Sequence, residues 1–260
     1  MKHLLILALL LFSPSLNAQI MTTPPPAYCD PATGLCTPGY FEEVTPKEVT
    51  KQEGIEIIYV GDPMCSWCWG ISPALNQLAA AAAANGITFT TLVGGLRPGG
   101  GDEWNKDFTE FLSHHWEEVS ARSGQPFNFD LLETDYFNYD TDPACRAVVV
   151  ARQMDPAKER RFFELVQHHF YVQNNDPAAL SFYQPICNEL DLDFEEFVRL
   201  FSSQNIIQAT RAEFQLHRNW GVRGYPTVLF RRDNELSVIA RGFTTFDNMW
   251  AAVNELSDRS

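Results

Sequence analysis

The chain has 260 residues and a formal net charge of −14 at pH 7, from 33 acidic and 19 basic side chains. This acidity argues against binding to nucleic acid or to an anionic membrane surface, so neither class of partner is expected. The length is sufficient for one elaborated domain with a full hydrophobic core.

Residues 1–18 predict a secretory signal peptide. Lys2 and His3 precede an apolar stretch at 4–12, and Ala18 is a small residue at the predicted cleavage point. The apolar stretch is far shorter than the roughly 20 residues that span a bilayer, so cleavage is favoured over a retained anchor. Export of the mature chain, without insertion into the membrane, is therefore expected.

Residues 19–53 predict an extended leader, because they are rich in proline and threonine. Within it, Cys29 and Cys36 flank a segment in which Pro31 and Gly34 favour chain reversal. A local structural disulfide between the two cysteines is the favoured interpretation. The alternative is a second redox pair that passes electrons to Cys65 and Cys68 downstream, although no helix N-terminus is evident here to lower the pKa of either leader thiol.

A β–α–β pattern follows the leader. Apolar, β-branched residues at 55–60 predict a strand, an alanine-rich stretch at 65–84 predicts a helix, and residues 87–93 predict a second strand. Pro73 lies inside the predicted helix and is expected to kink it.

Cys65 and Cys68 stand at the start of that helix, separated by Ser66 and Trp67. A helix N-terminus favours a thiolate, because its backbone N–H groups are unpaired and its dipole is positive there. The pattern predicts Cys65 as an exposed nucleophile of low pKa and Cys68 as the buried thiol that resolves its mixed disulfides. A structural zinc needs four ligands, and there is no second CxxC and no pair of histidines three to five residues apart, so no metal is expected.

Two further features surround the cysteine pair. Asp62 either caps the turn, with Pro63 behind it, or relays protons to Cys68; capping is favoured because Asp-Pro is a common turn pair. An apolar rim suited to unfolded chains is predicted from Met64, Trp67, Trp69 and Tyr225. Core packing is the alternative for Trp69.

Strand character then disappears between residue 93 and residue 226, and helices are predicted instead. An aspartate followed by proline offers an N-cap and a favourable first helical residue, which predicts helix starts at Asp142, Asp155 and Asp176. Helical spacing predicts a further core-facing helix through Phe194, Phe197, Val198 and Phe201.

Isolated cysteines and paired histidines occur in this helical block. Cys145 and Cys187 lie in separate predicted helices, where they either form a disulfide bridge or are small buried apolar residues. The histidine pairs at 114–115 and 168–169 are poor chelators, since neighbours on a helix point about 100° apart. A solvated or capping role is predicted for them.

Strands return at 226–231 and 235–240, and a last helix is predicted at 246–257. Tyr225-Pro226 immediately precedes the first of these strands. Given the upstream CxxC, a cis peptide bond is favoured over an ordinary strand-initiating proline. An extended peptide can pair with this backbone edge as an added strand and present its cysteine to Cys65.

The CxxC, the proline five residues beyond it and Pro226 together resemble the thioredoxin superfamily. Within that superfamily, three segments look like the DsbA family, and most closely like its branch of predicted periplasmic disulfide isomerases: Asp62–Gly70, Gly94–Gly99 and Gly224–Thr227. The resemblance covers about residues 54–258.

This resemblance implies an α/β fold of DsbA-like architecture. A thioredoxin-like domain would comprise 54–96 and 206–260, with an inserted all-helical domain at 97–205 and the short Pro-rich leader in front. The order of strands and helices along the sequence supports that arrangement independently, because neither flanking half has a complete sheet alone.

The resemblance also implies a periplasmic thiol–disulfide oxidoreductase or isomerase that acts on cysteines of exported proteins. A membrane redox partner would recycle it, and the redox-active Cys65–Cys68 pair would serve in place of any cofactor. Ser66 and Trp67 replace the Pro-His of DsbA-type oxidants, and the missing imidazole predicts a less oxidising active site. A monomer is expected, because the leader is too short for the dimerisation domain usual in isomerases of this superfamily.

Two alternatives remain at this point. A glutathione-dependent isomerase or transferase of small molecules shares the DsbA-like fold, but such enzymes typically have serine in place of the first cysteine. A non-catalytic chaperone or copper-binding protein would use the cysteines as ligands.

Overall fold

Two β-sheets are present in the computed structural model of this chain, which describes residues 27–38 and 54–258. The smaller sheet is a hairpin within the leader, formed by the antiparallel strands β1 (Tyr28–Asp30) and β2 (Leu35–Thr37). The predicted signal peptide at 1–18, the rest of the leader and residues 259–260 lie outside the described residues.

The larger sheet consists of four strands: β3 (Ile55–Gly61), β4 (Thr88–Val93), β5 (Thr227–Arg232) and β6 (Glu235–Arg241). Their order across the sheet is β4–β3–β5–β6, in which β3 runs parallel to β4 and antiparallel to β5, and β6 runs antiparallel to β5. A parallel pair needs a crossover connection, which helix α1 (Ser66–Ala84) supplies. These elements confirm the predicted pattern to within one residue at each end.

The central strand β3 sets the position of the site. Four consecutive residues, Ile57 to Val60, are buried, as expected of a strand with neighbours on both edges and helices over its faces. Its carboxyl end at Gly61 leads directly into the turn that begins α1. Pro73 lies inside α1, and the helix continues beyond it to Ala84.

Helices fill the chain between β4 and β5, as predicted, and one more follows β6. They are α2 (Lys106–Ser123), α3 (Asp142–Met154), α4 (Glu159–Tyr171), α5 (Tyr183–Glu189), α6 (Phe194–Phe201), α7 (Gln204–Asn219) and α8 (Phe246–Asp258). Among the described residues, no helix combines the length and the apolar character needed to cross a membrane. The division into a thioredoxin-like domain and an insertion at 97–205 stays a prediction.

The three Asp-Pro pairs start helices less uniformly than predicted. Asp142 is the first residue of α3, and Thr141 before it holds the N-cap position. Asp155 accepts a hydrogen bond from the Ala157 backbone and caps a short 3-10 helix that precedes α4. Asp176 only closes a turn, and the next α-helix begins at Tyr183. The short side chain of aspartate serves turns and caps equally well, so the pair alone does not fix where a helix begins.

The helical block is held together by aromatic packing. Phe197 and Phe201 are buried on α6, as predicted, and the Phe197 ring lies 5.6 Å from that of Phe162. Cys145 and Cys187 are both free and buried, so of the two interpretations left open by the sequence, that of small buried apolar residues is confirmed and the disulfide bridge is not formed. Sequence spacing cannot show whether two helices bring their cysteines together.

Candidate active site

The CxxC lies where β3 turns into α1. Cys65 has an extended backbone and holds the N-cap position, and Cys68 lies in the first turn. The Cys65 N–H donates to the Asp62 carbonyl at 3.0 Å, and the Trp69 N–H donates to the Cys65 carbonyl at 3.1 Å. The predicted position of both cysteines at a helix N-terminus is therefore confirmed, and both are free thiols.

The prediction of an exposed, acidic Cys65 is wrong. Both cysteines are completely buried. Burial raises the pKa of the Cys65 thiol well above its usual value, and the hydrogen bond and charge of Cys68 raise it further. The backbone N–H of Cys68 acts in the opposite direction, as a helix N-terminus should, but the loss of water around the sulfur outweighs it.

The loop before β5 faces Cys65 as predicted. The Tyr225-Pro226 peptide bond is cis, and the Cys65 thiol donates to the Tyr225 carbonyl at 3.8 Å. The Tyr225 hydroxyl donates to the Gly94 carbonyl at 2.5 Å, and His217 Nε2 lies 3.2 Å from the same oxygen. Burial lowers the pKa of His217 to about 3, so its ring is neutral at physiological pH.

Asp62 caps the turn between β3 and α1, which confirms the favoured interpretation. Its fully buried carboxylate accepts hydrogen bonds from the backbone N–H groups of Met64 at 2.9 Å and Leu96 at 2.6 Å. The Cys145 thiol donates to the same carboxylate at 3.4 Å. Burial raises the pKa of Asp62 above its usual value. The proton relay from Asp62 to Cys68 stays a prediction.

Tyr59 is a site residue that sequence reasoning missed. It lines a narrow cavity with Cys68, Ser72 and Gln167, and burial together with the nearby Cys68 raises the pKa of its hydroxyl. The Tyr59 hydroxyl and both polar atoms of the Gln167 side chain are buried without a hydrogen-bond partner among the described residues. In an apolar strand, no sequence signal distinguishes an aromatic residue that lies beside the active-site cysteines from one that only packs in the core.

The leader hairpin also lies at the site, a position that the favoured interpretation of the sequence, a purely structural disulfide, did not predict. Cys29 and Cys36 form the expected local disulfide. Cys36 then pairs with Tyr225 as an isolated antiparallel bridge, in which each backbone N–H donates to the other residue's carbonyl at 2.6 Å. The hairpin is therefore an added strand on the backbone edge that faces Cys65.

Side chains and backbone groups from three other segments hold the hairpin. His115 Nε2 lies 2.6 Å from the Cys29 carbonyl, so the predicted solvated or capping role is wrong for this histidine. Arg122 on the same helix donates to the Pro31 carbonyl at 2.6 Å. Two further hydrogen bonds connect Phe243 N–H to Thr33 O at 3.1 Å and Arg97 Nη2 to Ala27 O at 3.1 Å.

The predicted apolar rim is buried rather than exposed. Trp67 lies beneath Gly34 of the hairpin, and the Arg122 guanidinium lies 4.9 Å from the centre of its ring. Trp69 packs in the core, stacked on Tyr171 at 6.4 Å between ring centres, which confirms the alternative for this residue. The members of the predicted rim are each at most 7% exposed: Met64, Trp67, Trp69 and Tyr225.

Metal ligands are not assembled in the part of the chain that the structure describes. Within residues 27–38 and 54–258, no group of three or more histidine, cysteine, aspartate or glutamate side chains is arranged to hold a metal ion. The groups that the described site presents are two adjacent thiols, a facing backbone edge and one disulfide.

Comparison with known proteins gives the family. The family model described as a DSBA-like thioredoxin domain matches residues 56–253. The chain belongs to this family. The DsbA-like fold and the resemblance seen in the motifs are thus confirmed, and the protein is a thiol–disulfide oxidoreductase of the DsbA family.

Individual relatives of this DsbA-family protein differ in their described roles. A proposed protein disulfide isomerase from Nitrosomonas europaea is 30% identical, with a TM-score of 0.71 over 80% of this chain and 100% of that one. The cytosolic disulfide reductase DsbM from Pseudomonas aeruginosa is 26% identical, with a TM-score of 0.64 over 79% of this chain and 100% of that one. The ClpXP adapter protein SpxH of Shouchella clausii is 23% identical over 84% of this chain and 70% of that protein.

Proposed function

We propose that this DsbA-family protein is a periplasmic oxidoreductase and isomerase that exchanges disulfides with the cysteines of exported proteins. The observation that carries the proposal is the position of the Cys65 sulfur, 3.8 Å from the carbonyl of Tyr225. A substrate strand paired with that carbonyl brings its own cysteine to Cys65.

The proposed reaction uses only the two thiols. The Cys65 thiolate attacks a substrate disulfide, one sulfur–sulfur bond breaks, and a mixed disulfide forms while the other substrate sulfur leaves as a thiolate. Cys68 then attacks Cys65, which closes the Cys65–Cys68 disulfide and releases the second substrate thiol. Two electrons pass to the substrate in this direction, and the reverse sequence oxidises it.

The residues between the cysteines favour a moderate reduction potential. Neither Ser66 nor Trp67 is a cation that would stabilise the Cys65 thiolate, and burial disfavours that thiolate further. Equilibration with glutathione is expected to give a potential below the roughly −120 mV of the strongest oxidant of this class. A value as high as that one would contradict the argument.

The location and the recycling partner rest on the sequence. The signal peptide predicted at 1–18 supports export to the periplasm, where a membrane redox partner would restore the active-site oxidation state. Fractionation of cells that express the full chain tests this proposal. Recovery of the whole protein, uncleaved, in the cytosol would contradict it.

Refolding of ribonuclease tests the activity itself. The wild-type protein is compared with Cys65→Ser and Cys68→Ser, and Cys187→Ala, a buried cysteine in another part of the fold, is the matched control. Activity on scrambled ribonuclease that depends on Cys65 indicates an isomerase, and activity on reduced ribonuclease alone indicates an oxidase. Equal activity of the wild type and Cys65→Ser would remove the proposal.

A further inference from the structure

The leader hairpin occupies the place that the proposed function assigns to a substrate. Its residue Cys36 donates through its backbone N–H to the Tyr225 carbonyl at 2.6 Å. The Cys65 thiol donates to the same oxygen at 3.8 Å. Because both groups bind the Tyr225 carbonyl oxygen, the distance from the Cys36 backbone nitrogen to the Cys65 sulfur cannot exceed the sum of these two distances.

The two cysteine pairs stand in complementary redox states. Cys29 and Cys36 are joined as a disulfide, whereas Cys65 and Cys68 are free thiols. All four belong to one buried cluster that also contains Tyr225. A disulfide and a dithiol held side by side are the two reactants of a single thiol–disulfide exchange.

The anchors of the hairpin fix its cysteines in particular. The Tyr225 backbone forms hydrogen bonds with both the N–H and the carbonyl of Cys36, and His115 binds the carbonyl of Cys29. Cys36 is fully buried and Cys29 is 8% exposed, so reductants in solution have little access to their sulfurs. The Cys65–Cys68 dithiol lies in the same buried cluster as this disulfide.

We propose that the Cys29–Cys36 disulfide is an internal substrate of the Cys65–Cys68 pair, so that the leader hairpin is a second redox centre. The proposal rests on the proposed function of the CxxC. The Cys65 thiolate attacks the Cys36 sulfur, the Cys29–Cys36 bond breaks, and Cys29 leaves as a thiolate that takes up the proton given up by Cys65. Cys68 then attacks Cys65 and releases Cys36. Two electrons and two protons thereby move from the active-site pair to the leader pair, and no external reactant is consumed.

The same geometry makes the hairpin and an external substrate mutually exclusive. Both would pair with the backbone edge at Tyr225, so the hairpin must leave before another polypeptide reaches Cys65. The leader pair therefore exchanges electrons with the active site in the docked state, and external substrates do so in the released state.

A trapping experiment on the full chain tests the approach of the two sulfurs. The double variant Cys29→Ser, Cys68→Ala leaves Cys36 and Cys65 without their usual partners, and oxidised glutathione supplies the oxidant. The expected product is an internal Cys36–Cys65 disulfide, identified by mass spectrometry of peptides digested without reduction. Glutathione adducts on both cysteines, with no internal link, would overturn the proposal.

Adding Gly34→Val to that double variant gives the matched control. A side chain at Gly34 would come within 2.9 Å of Trp67, and the backbone there has a positive φ of 67°, so docking is disrupted while both reporter cysteines stay. The internal link should give way to glutathione adducts. An unchanged yield of the link would show that docking is irrelevant and would overturn the proposal.

A kinetic experiment tests the exchange in the otherwise native chain. The oxidised protein is treated with dithiothreitol, and the leader thiols are counted over time by alkylation and mass spectrometry. Cys65→Ser is expected to slow reduction of the leader pair by about tenfold or more, because direct attack replaces the internal route. Equal rates in the two proteins would refute the relay.

Ribonuclease refolding separates this inference from the proposed function. Activity that depends on Cys65, combined with no internal link and equal leader reduction rates, would reject the relay and keep the oxidoreductase. Loss of Cys65-dependence in ribonuclease refolding would reject both.

Discussion

Replacement of Asp62 tests how the turn before the active site is held. Its carboxylate is fully buried and accepts the backbone N–H groups of Met64 and Leu96. Asp62→Ala leaves both donors buried without an acceptor, at about 1–3 kcal/mol each, so a loss of about 2–6 kcal/mol in the free energy of unfolding is expected. Asp62→Asn keeps one oxygen acceptor and removes the charge, so its effect should be smaller.

The difference in the free energy of unfolding between the wild type and Asp62→Asn should also depend on pH. Burial raises the pKa of Asp62 in the folded state above its usual value of 3.8. The wild type therefore binds more protons at Asp62 when folded than when unfolded, and its stability relative to Asp62→Asn falls as pH rises through this interval. The slope is at most about 1.4 kcal/mol per pH unit. Below pH 3.8 and above the raised pKa the difference should be constant.

Urea unfolding from pH 3 to pH 8, followed by tryptophan fluorescence, measures this difference. Asp135→Asn, at an exposed loop position, is the matched control. The Asp62 charge also raises the pKa of Cys65, so Asp62→Asn should speed alkylation of Cys65 at neutral pH. A stability difference that does not change with pH, or that changes in the opposite direction, would refute the reasoning.

Three further outcomes are expected. Tyr59→Phe removes the hydroxyl beside Cys68 and should slow the release of a mixed disulfide by about tenfold or more, because a hydrogen bond from this hydroxyl to the attacking Cys68 thiolate would contribute about 1.5–3 kcal/mol. Stopped-flow measurement with a model peptide would show an unchanged rate if the hydroxyl is only a core group. Gly34→Val should undock the hairpin, return water to Cys65 and lower the pKa of the Cys65 thiol, so the pH profile of its alkylation by iodoacetamide should move to lower pH. An unchanged profile would mean that the hairpin is not the cause of the burial of Cys65. Tyr225→Phe removes one hydrogen bond to the Gly94 carbonyl, which keeps His217 Nε2 as a second partner. Urea unfolding should therefore show a loss of about 1 kcal/mol in the free energy of unfolding, and a loss above about 3 kcal/mol would mean that the loop depends on this hydroxyl alone.

Local sequence patterns predicted much of this fold. Apolar runs and the alanine-rich stretch placed β3, α1 and β4 to within one residue, because strand and helix periods are properties of neighbouring residues. The cysteine spacing and Tyr225-Pro226 likewise placed the redox pair and its facing loop. The starts of α4 and α5 were less well predicted than that of α3, since one Asp-Pro signal serves caps and turns alike.

The sequence by itself determined the chemical identity of the site: two thiols at a helix start, a short disulfide loop and a proline before a strand. Only the tertiary structure decided that the disulfide loop lies against the thiols, that His115 and Arg122 hold it there, and that Cys65 is buried. The physical reason is one of range. A hydrogen-bonded turn or a helix start depends on residues a few positions apart, whereas desolvation and the pKa of Cys65 depend on every segment that packs around the sulfur, including one about 30 positions earlier in the chain.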